Sequence, residues 1–290
     1  MGLVHNFAGL VTARVFLGLA EAGLFPGVTY YISLWYRRSE IAVRIAVFFS
    51  AATVAGAFGG LLAFGITKMD GVGGKAGWAW IFILEGLLTV VVAIVAYFVI
   101  NDFPETAHFL SIKERKEVSR RLKEDSSDLA SRFDWKFFWQ AAWDWKIHMQ
   151  CIIYWGCLTS VYAFSLFLPT IIKNMGYTST RAQLMSVPPY VLGCCFTVIA
   201  GLLSDRYKLR GPFAIVFLVI GIVGYSCLYG LSSATAQYTA IMVAACGIFP
   251  TIPLVITWNS NNIGGSVKRG VGMAMQIGFG NLGGAVASYM

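Results

Sequence analysis

GLLSDRYKLRG, residues 201–211, joins two apolar segments of this chain. The segments run from about residue 184 to 204 and from about 212 to 231, close to the roughly 20 residues that an α-helix needs to cross a bilayer. A short charged loop between two such segments is typical of a protein whose helices cross the membrane in alternating directions. The stretch therefore predicts an all-α, polytopic membrane protein.

The composition of the whole chain agrees with that prediction. Hydrophobic residues make up 57% of the 290 positions and charged residues only 12%, whereas a soluble domain has about 25% charged residues. A soluble fold is therefore excluded. Eight membrane-spanning helices are predicted, at about 6–35, 43–67, 78–101, 148–172, 184–204, 212–231, 237–258 and 270 to the end.

The basic residues favour one side of the membrane. When alternate connections are assigned to opposite sides, 17 lysines and arginines fall on one side and four on the other. The side rich in basic residues is expected to be cytoplasmic, which places the start of the first helix outside. The net charge of +8 reflects this bias and forms no basic face with interleaved aromatic residues, so no nucleic-acid partner is expected.

One long polar stretch divides the chain. It predicts three parts: helices at 1–101, a cytoplasmic linker at 102–147, and helices at 148–290. Within the linker, Ser111 and Glu114 have the spacing of a capping box that starts a helix. The tryptophan-rich run FDWKFFWQAAWDWK at 133–146 is typical of a segment lying at the membrane interface. We interpret both features as positioning elements.

An internal similarity indicates a repeat. GLFPG from Gly23 and GIFPT from Gly247 both precede a tryptophan and then a basic residue before the next helix. Parallel repeats of this kind are typical of two-bundle transporters. Because Gly23 lies in the first helix and Gly247 in the fourth helix after the linker, the repeat predicts that eight of twelve helices are present. Three helices are expected before Met1 and at least one after Met290.

Arg14 and Glu21 are the ionisable side chains that most need an explanation. Both lie in the first apolar segment, where a charge costs at least about 2.5 kcal/mol. They share a helix face but lie about 10 Å apart along the axis, so each needs its own partner. One interpretation is ion pairing with a helix outside this sequence. The favoured one is function: Arg14 binds an anion, and Glu21 exchanges a proton, because dehydration brings a carboxyl pKa towards neutrality.

Further polar residues in the second group of helices are candidates for substrate binding. Aromatic and amide side chains facing a bundle axis can hold a polar substrate, although hydrogen bonding between helices explains each of them equally well. They are Tyr154, Tyr162, Trp258, Asn259, Gln276 and Asn281. GFGNLGG at 278–284 fits a nucleotide-binding pattern, but no strand precedes it, so we interpret it as helix packing.

The opening loop is the candidate cytoplasmic gate. Asp205, Arg206 and Arg210 can join neighbouring helix ends by charge-assisted hydrogen bonds that break and re-form as two bundles rock. The pattern Gly-x-x-x-Asp-Arg-x-x-x-Arg resembles the cytoplasmic loop signature of the major facilitator superfamily, from which it departs in having fewer basic residues at its end.

Within that superfamily the chain resembles the anion:cation symporter family, in particular its fungal allantoate and nicotinate permease-like branch. RVFLGLAEAGLFPG is similar to the family's fourth helix, GWAWIFILEG to its sixth, FPETAHFLSIKERKEVSRRLKED to its central linker, and WNSNNIGGSVKRGVGMAMQIGFGNLGG to its tenth and eleventh. The resemblance covers nearly the whole chain. It implies the major facilitator fold, helices four to eleven, and roles in substrate binding and proton coupling for Arg14 and Glu21. The family's partner charges on the first helix lie outside this sequence.

Together these features predict a secondary active transporter of a small organic anion, a carboxylate, coupled to protons and working by alternating access. The alternatives are a nutrient sensor that does not transport and an inactive truncated transporter fragment. No enzyme activity, cofactor or metal is expected, because no nucleophile, metal-ligand or paired-acid pattern is found. The expected partners are the anion, protons and the lipid bilayer. The protein is expected to be a monomer in the plasma membrane, and its exact substrate stays open.

Overall fold

A computed structural model describes residues 1–107, 109–125 and 134–289 of the chain. Within these residues the fold is all-helical, as predicted, with eleven α-helices and a single turn of 3₁₀-helix at Val72–Gly74. The helices are α1 Phe7–Glu21, α2 Leu24–Trp35, α3 Ile41–Thr67, α4 Gly77–Val99, α5 Ile112–Asp125, α6 Trp135–Ala142, α7 Trp145–Asn174, α8 Ser179–Tyr207, α9 Gly211–Gly230, α10 Ala234–Asn262 and α11 Ser266–Ser288.

The first predicted helix is interrupted. Instead of one helix over residues 6–35, α1 ends at Glu21 and α2 begins at Leu24. The reason is Pro26, which lacks a backbone N–H and whose ring clashes with the carbonyl of the residue four positions earlier. Together the two helices still form one apolar segment of 29 residues, long enough to cross a membrane.

Seven helical segments of the described chain are long and apolar enough to span a membrane, one fewer than predicted. The eighth predicted segment forms α11, which has 23 residues. Its mean hydropathy is lower than that of the seven segments that qualify as membrane-spanning. Its six glycines, together with Lys268, Arg269, Gln276 and Asn281, lower the average. By length, α11 is an eighth helix that could cross the membrane. By hydropathy, seven segments qualify and α11 does not.

Helix α10 is the centre of the second group of helices. It packs against α9, α8 and α7, and its residues from Gly247 to Thr257 are all buried. Small residues allow the closest approach: a Cβ added to Gly247 would lie 2.2 Å from the backbone nitrogen of Gly221 on α9. Without strong hydrophobic attraction between helices in lipid, such close backbone contact is a main source of association.

The two groups of helices meet along α3 and α8. A Cβ on Gly56 would lie 2.7 Å from the ring of Tyr190, and one on Gly201 would lie 2.8 Å from the Cβ of Ala46. Helix α3 therefore contacts α8 over several turns. This contact joins residues 1–101, here called the first half, to residues 148–290, here called the second half.

The linker contains two short helices. Helix α5 begins with the predicted capping box: the Ser111 backbone N–H donates to Glu114 Oε2 at 2.8 Å, and the Glu114 N–H donates to Ser111 Oγ at 3.4 Å. The bonds donated by Ser111 lower the pKa of the Glu114 carboxyl. Helix α6 is capped by Asp134, whose side chain accepts from the Lys136 backbone N–H at 2.8 Å, and it packs against α11. Residues 108 and 126–133 of the predicted linker lie outside the described residues.

Candidate functional site

Arg14 and Glu21 lie on an open face of α1. Both side chains are exposed, and α1 has no buried residue. The guanidinium carbon of Arg14 lies 5.9 Å from the centre of the Phe82 ring on α4, a cation–π contact. Within the described chain, neither side chain forms a hydrogen bond or an ion pair. The separate partners expected for these two charges are therefore not supplied by the helices described, except for the Phe82 ring.

Tyr162 and Asn281 are brought together by the fold. The Tyr162 hydroxyl on α7 donates to Asn281 Oδ1 on α11 at 2.9 Å. Tyr162 is half-buried and Asn281 is exposed, so the pair lies at the edge of the α7–α11 contact. A Cβ on Gly284, one turn beyond Asn281, would lie 3.2 Å from the Tyr162 ring. The glycine-rich run at 278–284 is thus a packing surface for α7.

Asn259 and Gln276 form a buried pair between α10 and α11. Asn259 Nδ2 donates to Gln276 Oε1 at 2.9 Å, and Gln276 Nε2 reaches the Val255 carbonyl at 3.5 Å. The two residues are 2% and 0% exposed. One hydrogen bond joins the two amides, and each amide nitrogen also donates to a backbone carbonyl, that of Gly272 or of Val255, which corresponds to the helix-packing interpretation of these residues. A role in substrate binding stays a prediction.

Tyr154 and Trp258 also lie at helix contacts. Tyr154 is 1% exposed, and a Cβ on Gly280 of α11 would lie only 2.2 Å from its ring. Trp258 is half-buried on α10, with its indole ring 3.4 Å from the position of a Cβ on Gly211. Both aromatic rings therefore fill space left by glycines on neighbouring helices.

The predicted gate residues lie at the contact between two helix corners. One corner is the α2–α3 connection, residues 36–40, and the other is the α8–α9 connection, residues 208–210; we call their meeting the corner contact. Asp205 forms an ion pair with Arg210, and its second oxygen accepts from the Val43 backbone N–H at 2.8 Å. Because Val43 lies in the first turn of α3, Asp205 satisfies a free N–H of that helix across the two halves.

Arg210 is the other main residue of the corner contact. Its guanidinium donates to Ser204 Oγ at 2.8 Å and to the Arg38 backbone carbonyl at 3.3 Å. The side chains of Arg210 and Asp205 are 6% and 12% exposed, so the pair is largely removed from solvent. Arg206 is exposed, and within the described residues it forms no hydrogen bond or ion pair. Of the three predicted gate residues, two make this contact.

Arg38 of the corner contact and Asn261 of the adjoining α10 were also not predicted. Asn261 Nδ2 on α10 donates to the Arg38 carbonyl at 3.3 Å, and Arg38 Nη1 donates to the Asn261 carbonyl at 3.5 Å. The sequence places these residues 223 positions apart. Their only local signal is position, since each lies at the polar end of a predicted span, and many loop residues share that property.

Two further ion pairs hold the linker in place. Arg37 pairs with Glu124 of α5 at 3.0 Å and donates to the Arg121 carbonyl at 3.1 Å, which ties the linker to the first half. In the second half, Lys268 of α11 pairs with Asp144 at 2.6 Å. The hydrogen bond from Lys268 lowers the pKa of the Asp144 carboxyl. Neither pair was predicted.

Comparison with known families identifies the fold. The family model described as "Major Facilitator Superfamily" matches residues 1–288. The chain belongs to the major facilitator superfamily. With its apolar helices, this membership makes it an integral membrane protein. The proton:xylose symporter XylE, in a structure bound to 6-bromo-6-deoxy-D-glucose, aligns with a TM-score of 0.60 at 16% identity. That alignment covers 90% of this chain and 58% of XylE, and it supports the fold.

Fungal proteins are among the similar sequences. An uncharacterized transporter of Schizosaccharomyces pombe is 40% identical over 288 residues, which are 99% of this chain and 58% of that protein. The high-affinity nicotinic acid transporter of Saccharomyces cerevisiae is 32% identical over 285 residues, which are 98% of this chain and 53% of that protein. The chain thus spans under three fifths of the length of these relatives. They are transporters, which agrees with the prediction that this chain is not an enzyme.

Proposed function

We propose that this chain forms most of a secondary transporter that moves a small organic carboxylate together with protons by alternating access. The observation that carries the proposal is the placement of Arg14 and Glu21. They are ionisable residues of an apolar helix, they are exposed, and they have no ion pair within the described chain. Intramembrane charges face cavities or other helices because lipid exposure is costly.

In this proposal the chain corresponds to helices four to eleven of a twelve-helix protein. The fraction of its relatives that it spans, 58% and 53%, supports this assignment. The remaining helices would cover the face of α1 and leave a water-filled cavity between that face and the second half. Arg14 would then bind the carboxylate through its planar guanidinium, and Glu21 would take up and release the proton.

The corner contact supports alternating access. Its hydrogen bonds join two halves that must separate on one side for a central site to open there. We assign this side to the cytoplasm from the distribution of basic residues, so Asp205 and Arg210 would close the cytoplasmic path. Rocking of the halves would exchange these bonds for hydrogen bonds with water.

Among the remaining candidates, Tyr162 and Asn281 are the better placed for substrate. Their pair is only partly enclosed, so the hydroxyl and the amide can exchange partners without exposing a buried polar group. Tyr154, Asn259 and Gln276 are buried in helix contacts. They would support the residues that line the site without touching the substrate.

The similarity to a nicotinic acid transporter supports an organic anion as substrate and membership of the anion:cation symporter family. The similarity of fold to a proton symporter is compatible with proton coupling. We further propose that the protein is a monomer in the plasma membrane, with the anion, protons and lipid as its partners and without nucleic acid.

Uptake of radiolabelled nicotinate and of a panel of other carboxylates into proteoliposomes tests the proposal. The full-length protein should concentrate at least one carboxylate when the outside is acidic and lose that accumulation when the pH gradient is removed. Glu21→Gln should abolish accumulation but retain exchange of internal for external substrate. Arg14→Gln should raise KM at least about tenfold, as loss of a charge-assisted hydrogen bond predicts.

Glu85→Gln is the matched control for Glu21, because Glu85 is also an exposed acid within a membrane-spanning helix. It should leave pH-driven uptake intact. Accumulation that is independent of pH and unchanged by Glu21→Gln would overturn proton coupling through Glu21. A protein that binds a carboxylate without moving it would indicate the sensor instead.

A further inference from the structure

A cavity of about 460 Å³ lies beside the corner contact. Its wall includes Arg37 and Arg38 of the first half, Glu124 of the linker, and Lys208, Arg210 and Asn261 of the second half. The volume is in the range of small-molecule sites, and four of these side chains are positively charged against one carboxylate. We propose that this cavity binds an anion of the phosphate class, such as a phosphate monoester.

The described pairings in the wall leave the positive charge of Lys208 uncompensated. The Glu124 carboxylate forms ion pairs with Arg37 and also with Arg120, so it is fully engaged. Arg210 is paired with Asp205. Lys208 forms no hydrogen bond or ion pair with another residue of the described chain. Closing the corner contact therefore brings like charges together, and an anion in the cavity relieves their repulsion.

The backbone of Lys208 adds an independent observation. Lys208 has φ +56°, and within the described residues it is the one non-glycine position with positive φ. It follows α8 directly, where glycine is the usual residue because a side chain costs free energy in this conformation. Backbone strain of this kind concentrates at ligand sites. A lysine at this position supplies a positive charge to the cavity, which glycine would not.

Asn261 refines the chemistry of the ligand. Its Nδ2 donates to the Arg38 carbonyl, but its Oδ1 is buried and accepts no hydrogen bond from the described chain. A buried acceptor calls for a donor. Inorganic phosphate, which is still partly protonated near neutral pH, and a monoester with free alcohol hydroxyls, such as glycerol 3-phosphate, bring both properties: negative charge for the cations and a hydroxyl hydrogen for Asn261. Sulfate has the charge but lacks the donor near neutral pH.

A ligand at this place has a consequence for conformation. The wall combines the α2–α3 corner with the α8–α9 corner, so the site exists only while the corner contact is closed. A ligand that binds one conformation shifts the population towards it, and by linkage the conformation that opens this side binds the ligand less tightly. The anion would therefore hold the corner contact closed, whichever substrate the protein carries.

Isothermal titration of the purified full-length protein in detergent tests the site with inorganic phosphate, glycerol 3-phosphate and sulfate. For a lipid ligand, the protein is reconstituted into nanodiscs with or without phosphatidylinositol 4-phosphate, and a raised midpoint of thermal unfolding reports binding. Saturable binding of a phosphate compound is expected, with sulfate weaker. Lys208→Gln should weaken binding about tenfold, the effect of one lost charge-assisted hydrogen bond. Lys116→Gln, which removes the same charge from an exposed position on α5 outside the cavity, should leave it unchanged.

The arms of the experiment separate the sources of the anion. Binding of the soluble phosphates identifies a free metabolite, and binding only in nanodiscs containing the phosphoinositide identifies a lipid headgroup. Either result supports the site. Absence of binding with all probes, or equal loss in Lys208→Gln and Lys116→Gln, would overturn it. Because the readout is binding without transport, failure here is distinct from failure of the carboxylate proposal.

Discussion

Arg210 Nη2 lies 3.3 Å from the backbone carbonyl of Arg38, and this hydrogen bond joins residues 172 positions apart in the sequence. It links the α8–α9 corner to the α2–α3 corner. Because it uses a main-chain acceptor, the contact depends on the backbone path of the first half. Asp205 completes the contact from the other direction by accepting from the Val43 N–H.

Replacing Asp205 by asparagine should loosen the corner contact. The substitution leaves Arg210, whose side chain is 6% exposed, without its counterion. Removing one partner of a buried ion pair costs about 3 kcal/mol. The midpoint of thermal unfolding in detergent should fall. Ser39 also lines the cavity beside the corner contact, and a cysteine introduced there should react faster with maleimide.

Arg206→Gln is the control for Asp205→Asn. Arg206 is adjacent in sequence but exposed, so its loss should change neither the unfolding midpoint nor the labelling rate. A labelling rate that is the same in Asp205→Asn and in the parent protein would contradict the assignment of Asp205 to closure of this contact.

Gly280→Ala should disrupt the packing of α7 against α11. The new Cβ would lie 2.2 Å from the Tyr154 ring, and Tyr154 is fully buried, so the ring has little space to move. Overpacking of this kind costs about 1–3 kcal/mol, to be measured as a lower thermal midpoint. Gly278→Ala, on the same helix, has no atom within 4 Å of its new Cβ and should be neutral or slightly stabilising. Equal effects of both substitutions would disprove the close contact.

Asn259 and Gln276 should show strong coupling in a double-mutant cycle. Asn259→Leu or Gln276→Leu alone leaves a buried amide without its partner, which costs about 1–3 kcal/mol. The double substitution removes both polar groups and should cost less than the sum of the single ones. Thermal unfolding of the four proteins measures the coupling. Additive effects would show that the 2.9 Å bond contributes nothing to stability.

The Asp144–Lys268 pair should make stability depend on acid. The usual pKa of this carboxyl is 3.8, and Lys268 lowers it in the folded protein. A lowered folded-state pKa gives stability that is fully present above the unfolded-state value and is lost as pH falls through the folded-state value. The contribution should therefore begin to fall near pH 3.8 and be lost once the pH is below the lowered folded-state pKa. Lys268→Met should flatten this part of a plot of unfolding midpoint against pH, and an unchanged slope would argue against the pair.

The sequence by itself determined the fold class and most of the helices. Apolar length is a local property, so the segments now seen as α3, α4 and α7–α10 could be located from residues within about 20 positions of one another. The capping box at Ser111 was equally local and is confirmed. The break between α1 and α2 was not predicted, although Pro26, the residue that causes it, is a local sequence signal. The charged loop and the apolar segments were also sufficient to identify the superfamily, which the family model confirms.

The tertiary structure decided which polar residues meet. The same amide composition fits a substrate site and a helix contact, and only the packing of α10 on α11 turns Asn259 and Gln276 into a mutual pair. Likewise, the contact of Arg38 with Asn261 spans 223 positions, and no local pattern encodes a partner so distant. The physical reason is that helix formation in a membrane is settled by each segment's own backbone hydrogen bonds and apolar surface. Side-chain partners are settled afterwards by how the finished helices pack.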